Sequence, residues 1–558
     1  MIHCIEPPPR IVGVTDLEDI PSQSGSTSVL IVGGGLAGLS CALFLAWRGV
    51  PTVLVEKHPA SSPHPRAVGF TTRTLEIYRA VGLGPHIPQI PLGHGRPRRV
   101  AVESLAGQWS AEAEWSPGKP RDPDDAPPPG AEYSPCTGAA IAQDRLEPIL
   151  REHAIKLGAD VRMSTEMISF EQDAAGVTAL LRDPDGCDYQ LRADYMIAAD
   201  GHSSPVRLAL GIGRSGHGFM RIVRSVMFHA DLDEYLGSGI SQFELDQPGL
   251  KGMLTTYRDG RWLLMTADDK ALDEDAPRAM VIRAIGRSDL DIEIITTGRW
   301  VLSALIADRF SSGRVFIAGD AAHTLPPARG GYGANTGIED ACNLAWKLSS
   351  VLSGASTQRL LDTYDAERRP IAWLRHDQIF ARQDYAQVAT DQEKTVAVIE
   401  DDAMELGQLY RSEAVLGAGD ELPPALRPEQ WAGQPGTRAP HLWADKDGQR
   451  VSTLDLLQTG WVLLAEDDRW RAAADDAGAA LGIDPLCLRV GVDLTSEDPG
   501  SFRRAFRTAF GVGPTGASLI RPDGYVAWRS TGMSADPAAA VTNALSLAAS
   551  AARSGGQT

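Results

Sequence analysis

Apolar residues in this chain fall into three regimes. Near the start they come in short unbroken runs, through the middle they alternate with polar ones, and near the end short runs return. The run at 28–32 is apolar after its first residue, the pattern of a strand buried on both faces inside a parallel sheet. It opens into Gly33-x-Gly35-x-x-Gly38, after which a helix is predicted over 39–48 and a second apolar strand over 52–55, ending on Glu56. Two further buried strands are predicted. One ends at Ala198-Ala199 before Asp200-Gly201, and the other runs over 314–318 into Gly319-Asp320. Beyond the latter come Pro326-Pro327, the run Gly330-Gly331-Tyr332-Gly333-Ala334-Asn335, and an amphipathic helix over 335–348.

In the middle, residues 223–230, 239–245, 252–257 and 261–267 alternate or run apolar, and Arg258-Asp259-Gly260 supplies a hairpin turn between the last two. An antiparallel sheet is expected there. A helical connection follows through Tyr364 to about residue 408, its charged run 362–370 reading as a solvated helix closed by Pro370. After a Pro-rich linker at 422–440, strands are predicted at 461–464, 487–490, 517–520 and 525–528, with Arg521-Pro522-Asp523-Gly524 as a hairpin turn. The expected organisation is a flexible arm (1–27), the first part of an α/β unit (28–212) interrupted by a Pro-rich loop at 117–129, and an inserted β-sheet unit (213–305). The rest of the α/β unit with the helical connection follows (306–420), then a small C-terminal unit (421–558).

The glycine loop has a direct physical reading. Gly33 permits the tight turn, Gly35 lets the backbone approach a pyrophosphate, and Gly38 lets the next helix pack on the strand. Leu36 and Ala37 lie at that helix start, which offers free N–H groups and a positive dipole end to a diphosphate. Glu56 sits where a carboxylate accepts hydrogen bonds from an adenosine ribose. Such a loop alone is a weak signal; strand, helix, second strand and Glu56 in register make it strong.

Gly319-Asp320 alone reads equally as a strand-end turn with a capping Asp. Its place after an apolar strand and before a second glycine-rich helix start points instead to an acid holding a ribityl or ribose hydroxyl of a two-part cofactor, a flavin. Asp200-Gly201 is either an ordinary strand-ending turn or part of the same site. Arg66 and Arg73 are ordinary surface arginines or, for Arg66 behind the fixed turn of Pro65, a counter-charge to phosphate. His323 is expected to cap or pack beside the Gly-Asp turn, and His64 and His202 are assigned nothing.

Composition narrows the class. At 558 residues the chain holds roughly two to four domains. A net charge of −19 argues against nucleic acid, whose binding needs Lys and Arg to neutralise phosphates. No apolar run reaches the length of a membrane span and no secretory signal is visible, so a cytoplasmic protein without a membrane partner, monomer or homodimer, is expected. Six scattered cysteines without a Cys-x-x-Cys pair suggest neither a metal site nor a redox dithiol, which removes the disulfide-reductase branch of flavoproteins.

With these motifs the chain resembles the single-component FAD-dependent aromatic hydroxylases, most closely those acting on anthracycline and angucycline polyketides. Gly33-x-Gly35-x-x-Gly38 with Glu56 is similar to the ADP-binding unit, and Ala199-Asp200-Gly201-His202-Ser203-Ser204-Pro205-Val206-Arg207 to the Asp-Gly motif touching FAD and NAD(P)H. Gly319-Asp320 through Asn335 resembles the segment around the ribityl chain and isoalloxazine. Pro65-Arg66-Ala67 resembles the Arg loop beside the flavin, and Gln143-Asp144-Arg145-Leu146-Glu147 a helix whose Gln contacts FAD. The resemblance runs from about Val29 to the C-terminus.

It implies a Rossmann-like FAD-binding domain, an inserted antiparallel substrate sheet as in para-hydroxybenzoate hydroxylase, and a thioredoxin-like C-terminal domain without thiol chemistry. It also implies FAD held by Gly33, Gly35, Leu36, Ala37, Gly38, Glu56, Lys57, Arg66, Gln143, Asp200, Asp320, Pro327, Gly331, Gly333, Ala334 and Asn335, with NADPH as co-substrate. The implied reaction is NADPH reduction of FAD, addition of dioxygen, and transfer of hydroxyl from a flavin hydroperoxide to a phenolic or polycyclic ring. In it Arg66 travels with a mobile flavin, Pro326 walls the oxygen face and the Gly333 amide region stabilises negative charge. Phe228, Phe243 and Tyr257 either line the substrate pocket or belong to the sheet's core. Baeyer–Villiger oxidation of a polyketide ketone and non-catalytic flavin binding are the competing readings.

Overall fold

The computed structural model describes residues 24–64, 67–91, 98–113, 130–267, 275–328, 331–457 and 459–551. Among the described residues seven α-helices lie before residue 381: α1 (Leu36–Trp47), α2 (Thr72–Ala80), α3 (Gln143–Lys156), α4 (Pro205–Ala209), α5 (Ala276–Ile285), α6 (Tyr332–Leu352) and α7 (Arg359–Phe380). The α/β unit is built on parallel strands in the order Val315–Ile317, Asp188–Ala198, Ser24–Val32, Thr52–Glu56 and Asp160–Met163. The central strand is covered on both faces, so Val29, Leu30 and Ile31 are fully buried, as its unbroken apolar run requires. This strand starts at Ser24, earlier than expected: Ser24 to Thr27 pair in register with Gln190 to Ala193, so 24–27 belong to the sheet and not to an arm. The other arm residues, 1–23, and the whole 117–129 loop lie outside the described residues.

A second sheet runs in the order His323–Thr324, Glu293–Ala307, Arg214–His229, Arg261–Thr266, Leu250–Thr256, Ile240–Gln247, Arg98–Val102, Trp109–Ala113. Arg258 and Gly260, both at positive φ, close the expected hairpin. Three strands, Arg98–Val102, Trp109–Ala113 and His323–Thr324, come from stretches expected in the α/β unit, and Glu293–Ala307, whose pairing carries three register shifts, was not anticipated as a strand. One face of the sheet carries Val226, Phe228, Phe243, Leu254, Trp262 and Leu264 into a core closed by Val281, Ala284 and Ile285 of α5.

The C-terminal sheet has the order Leu486–Arg489, Val462–Ala465, Ala517–Ile520, Val526–Ser530, with the first pair parallel and the rest antiparallel. Helices Arg469–Leu481 and Pro537–Ala548 share one core with it and Pro499–Phe510 fills the other face, the thioredoxin-like arrangement. Cys41 of α1 and Cys342 of α6 are buried free thiols, as expected. Among the described residues no helix is long and apolar enough to cross a membrane.

Two expectations fail at the helical connection. The charged run is not solvated and Pro370 does not end its helix, because α7 continues to Phe380 with Tyr364, Glu367 and Arg368 buried. Fixed charges hold it there: Arg368 meets Asp340 at 2.8 Å, and Glu367 meets Lys347 at 2.8 Å and Arg521 of the C-terminal unit at 2.5 Å. The connection beyond Phe380 is short 3₁₀ turns and a six-residue helix, Asp401–Leu406. Nor is Arg73 at the surface. It is buried against Glu76 at 3.0 Å and donates to the Asp523 carbonyl.

The C-terminal unit supplies an acid-sensitive group. Burial and nearby Arg438 push the His441 imidazole down to about 4 from 6.5, and its Nδ1 lies 2.8 Å from Ser452 Oγ. An unfolded chain takes up this proton near pH 6.5 and the folded chain only near pH 4, so stability falls as pH falls across that window. We expect a loss on the order of 2–3 kcal/mol there, reduced in His441→Asn. Thermal midpoints with the same pH slope in both proteins would remove His441 as the source.

Candidate active site

Three glycine contacts bring two helix starts together. At Gly33 (φ +109°) a Cβ would collide with the Ala199 carbonyl, and at Gly38 with the Gly33 carbonyl, so both are demanded by the chain's own packing. Gly319 (φ +60°) faces Ala37, where a Cβ would stand 2.8 Å from the Ala37 Cβ, and Gly337 of α6 approaches the same two residues. The Gly-Asp turn is thereby wedged between α1 and α6. Gly35 differs: a Cβ there would find nothing nearer than Glu147 Oε1 at 3.9 Å. Among the described residues no contact explains its missing side chain, which leaves room for a ligand.

Both helix starts keep their donors. Gly35 is the N-cap of α1 and Gly331 (φ +59°) that of α6, and among the described residues neither helix has a side-chain cap or an acid in its first turn. Their N–H groups and dipoles can serve an anionic ligand. Glu56 stands at the strand end beside the loop, where Oε2 accepts from the Gly34 N–H at 2.7 Å and Oε1 from the His58 N–H at 2.9 Å. Lys57 is exposed next to it. Gln143 opens α3, its N–H donating to the Ala67 carbonyl and its Nε2 to Glu147 Oε1 at 2.7 Å. Burial raises the Glu147 pKa above the usual carboxylate range.

Asp200 follows the strand Asp188–Ala198. Its Oδ2 accepts from the Val206 N–H at 3.1 Å, while its buried Oδ1 has no partner among the described residues. Burial raises its pKa. Arg207 joins this motif to the Gly-Asp turn by donating to the Ala321 carbonyl at 3.0 Å and to the Ser203 carbonyl at 3.2 Å. Asp320 is half-buried on that turn. Behind it, His323 packs as expected: its Nε2 lies 2.7 Å from Asp340 Oδ2, which also accepts from the Gly319 N–H at 3.2 Å. Burial alone would raise the Asp340 pKa, but His323 and Arg368 hold it down at about 2.

Pro326 is buried and Pro327 exposed, and the Pro327 carbonyl accepts from Tyr385 Oη at 2.5 Å. Gly331, Gly333 and Ala334 form the start of α6. Asn335 is spent internally, with Nδ2 donating to the Gly331 carbonyl at 2.7 Å and Oδ1 accepting from the Thr71 N–H at 3.1 Å and Thr74 Oγ1 at 2.6 Å. Arg66 and Gly330 lie outside the described residues.

Strand alternation separates the three aromatic candidates. Phe228 and Phe243 point into the core beneath α5, away from the α/β unit, so they are core residues and not lining. Tyr257 is on the other face, its ring under Arg261, which pairs with Asp144 of α3 at 2.7 Å. On that face Ser225, Met265 and Met253 form one cross-strand row and Met227, Leu263 and Thr255 the next. Ser225 Oγ meets His64 Nε2 at 2.7 Å, tying the face to the α/β unit. Alternation carried this information, but its parity was unreadable until α5 showed which face is covered.

The arrangement fits FAD on the chain's own terms: an open space over Gly35, two uncapped helix starts, a ribose-side carboxylate and an unpaired buried carboxylate oxygen. Two substitutions separate ligand space from packing. Gly35→Ala should leave the thermal midpoint of the apoprotein nearly unchanged but weaken FAD binding about tenfold or more. Gly38→Ala should lower the midpoint through its backbone collision. Equal effects of both on stability, with FAD affinity untouched, would place no ligand over Gly35.

Comparison with known proteins agrees with this geometry. Residues 26–378 match the family described as FAD binding domain, and residues 432–552 match that described as aromatic-ring hydroxylase, C-terminal. Tetracenomycin B2 monooxygenase-dioxygenase of Streptomyces olivaceus is 40% identical over 93% of this chain and 97% of its own length. The 4-methyl-5-nitrocatechol 5-monooxygenase of a Burkholderia species is 39% identical over 93% and 96%. Among solved structures, the ternary complex of aklavinone-11 hydroxylase with FAD and aklavinone is 37% identical with a TM-score of 0.82, covering 94% of this chain and 99% of that one. The chain therefore belongs to the FAD-dependent aromatic-ring hydroxylases and is a flavin monooxygenase.

Proposed function

We propose that the enzyme oxidises NADPH and hydroxylates a polycyclic phenol of the polyketide type. The observation that carries this reading is the face of the second sheet turned away from α5. Met253, Met265, Leu263 and Thr255 lie there side by side on adjacent strands, on the side tied to the α/β unit through His64 and Asp144. Thioether side chains adapt to flat rings and make favourable sulfur–aromatic contacts, so such a floor suits an extended aromatic substrate. The relatives named for tetracenomycins and aklavinone support the same class.

In this reading the first turn of α1 holds the pyrophosphate over Gly35, and Glu56 takes the ribose with Lys57 beside it. Asp320 takes the ribityl hydroxyls, and Asp200, with its free oxygen, a further hydroxyl. Gln143 and Arg66 complete the seat. The N–H groups of the first turn of α6, from Tyr332 to Asn335, offer partial positive charge to a reduced flavin's pyrimidine edge. Pro326 and Pro327 wall the reacting space, and Tyr385 fixes that wall through the Pro327 carbonyl. Bound FAD supplies the redox chemistry, taking two electrons from NADPH and activating dioxygen. Overall, one dioxygen, one NADPH and one proton yield one aromatic hydroxyl, NADP⁺ and water.

The test is turnover with FAD, NADPH, oxygen and candidate polycyclic phenols. NADPH oxidation should accelerate about tenfold or more with a true substrate, as effector-driven flavin reduction requires. The product should gain one oxygen with its ring skeleton intact. Insertion of oxygen into a carbon–carbon bond, or no acceleration by any aromatic compound, would overturn the reading. Within the pocket, Met265→Ala should raise KM about fivefold or more at nearly unchanged thermal midpoint. Phe243→Ala should instead cost about 3–5 kcal/mol of stability while KM holds. The reverse pattern would put the substrate on the α5 face.

A further inference from the structure

We propose that the C-terminal unit is a positioning element of the flavin seat, acting through Arg438 on Glu76 of α2 and through Arg521 on Glu367 of α7. The start of α2 is bonded directly to the seat, because the Thr71 N–H and Thr74 Oγ1 both donate to Asn335 in the first turn of α6. One turn further along, α2 is held by the C-terminal unit. Arg438 grips the buried Glu76 with Nε at 2.8 Å and Nη2 at 2.5 Å, and its Nη2 also donates to the Tyr133 carbonyl at 2.6 Å. Glu76 takes Arg73 on its other side at 3.0 Å, and Arg73 donates to the Asp523 carbonyl at 3.2 Å.

The body of α6 is held from the same unit. Lys347 and Asn343 both donate to Glu367 Oε2, at 2.8 and 2.7 Å, and Glu367 receives both Nη groups of Arg521, which Asp523 in turn neutralises. Every charged group in this set is buried, most of them completely. The two helices are thus bonded to each other at the seat and bonded again, through one common body, away from it.

Such a closed circuit fixes geometry. Withdrawing α2 from Arg438 would leave the Glu76 carboxylate without its bidentate partner in a site water does not reach, a strongly unfavourable state. Its start, and with it Asn335 and the donor-bearing turn of α6, therefore has one position. The stabilising donors must aim at their target within a fraction of an ångström to be effective. A domain without thiol chemistry thereby contributes to the flavin reaction. This inference rests on the seat described above, which the Gly35→Ala measurement checks separately.

Glu76→Gln, which keeps shape and removes charge, and Arg438→Met test it in the full-length enzyme. Both should weaken FAD binding about tenfold or more and lower the fraction of NADPH electrons recovered in product, with Arg438→Lys restoring part of each. Arg79→Ala, on the same helix but in a part-exposed pair with Asp455, should change FAD affinity less than about twofold. A fall in thermal midpoint with FAD affinity and coupling at wild-type values would reduce the network to a fold support and overturn the proposal. Should the buried variants fail to fold, the unaltered protein supplies the answer. Adding FAD to the apoprotein should slow amide exchange at 436–442 and 521–526, since coupling between two sites is reciprocal. Protection confined to the α/β unit would overturn it.

Discussion

The fold depends on one close approach of backbone to backbone. Gly319 on the Gly-Asp turn, Ala37 in the first turn of α1 and Gly337 in α6 meet where larger side chains would collide. Only because all three are small can α1 and α6 pack this closely and point uncapped starts into one crevice. Everything chemical about the site follows from that convergence: the clustered N–H donors, the Asp320 carboxylate between them and the open volume above Gly35. Asp340 secures the junction from behind, accepting from Gly319 and His323 while Arg368 offsets the cost of burying its charge.

Behind the seat the protein uses charge where most interiors use hydrocarbon. Buried ion pairs contribute little net stability over well-packed apolar replacements, yet breaking one is expensive. They are therefore better at specifying an arrangement than at strengthening it. That property suits a molecule in which an α/β unit, a second sheet and a third domain must keep one relative geometry.

The parts of the molecule legible in its sequence are those governed by local rules. Gly33, Gly38 and Glu56 are where strand, turn and helix chemistry require them, and the sheet strands follow their alternation. The errors came where tertiary structure overrides local pattern. The run Asp362 to Pro370 looks solvated because charges usually face water, and nothing local signals that Lys347, 20 residues earlier, and Arg521, 154 residues later, would neutralise Glu367. Pro370 usually ends helices, yet here neighbours pin the helix on both sides of it. Phe228 and Phe243 were left between pocket and core because alternation gives two faces and no sign, and the cover of α5 puts them in the core. The side chain of Asn335 is a bolt between two helices, which leaves only its backbone N–H to face a cofactor, and no local pattern signals that use.

The Glu76–Arg438 contact spans 362 residues of chain, and Arg73 reaches 450 residues to Asp523. On the ribosome α2 is made early, but Glu76 has only its neighbour Arg73, and not its bidentate partner Arg438, until the final quarter of the polypeptide has emerged and folded. Domains elsewhere can mature in order of synthesis. Here the nucleotide-binding unit reaches its finished form only with the last one, so a prematurely terminated chain carries the motifs of a flavoprotein without the buried partners that complete it.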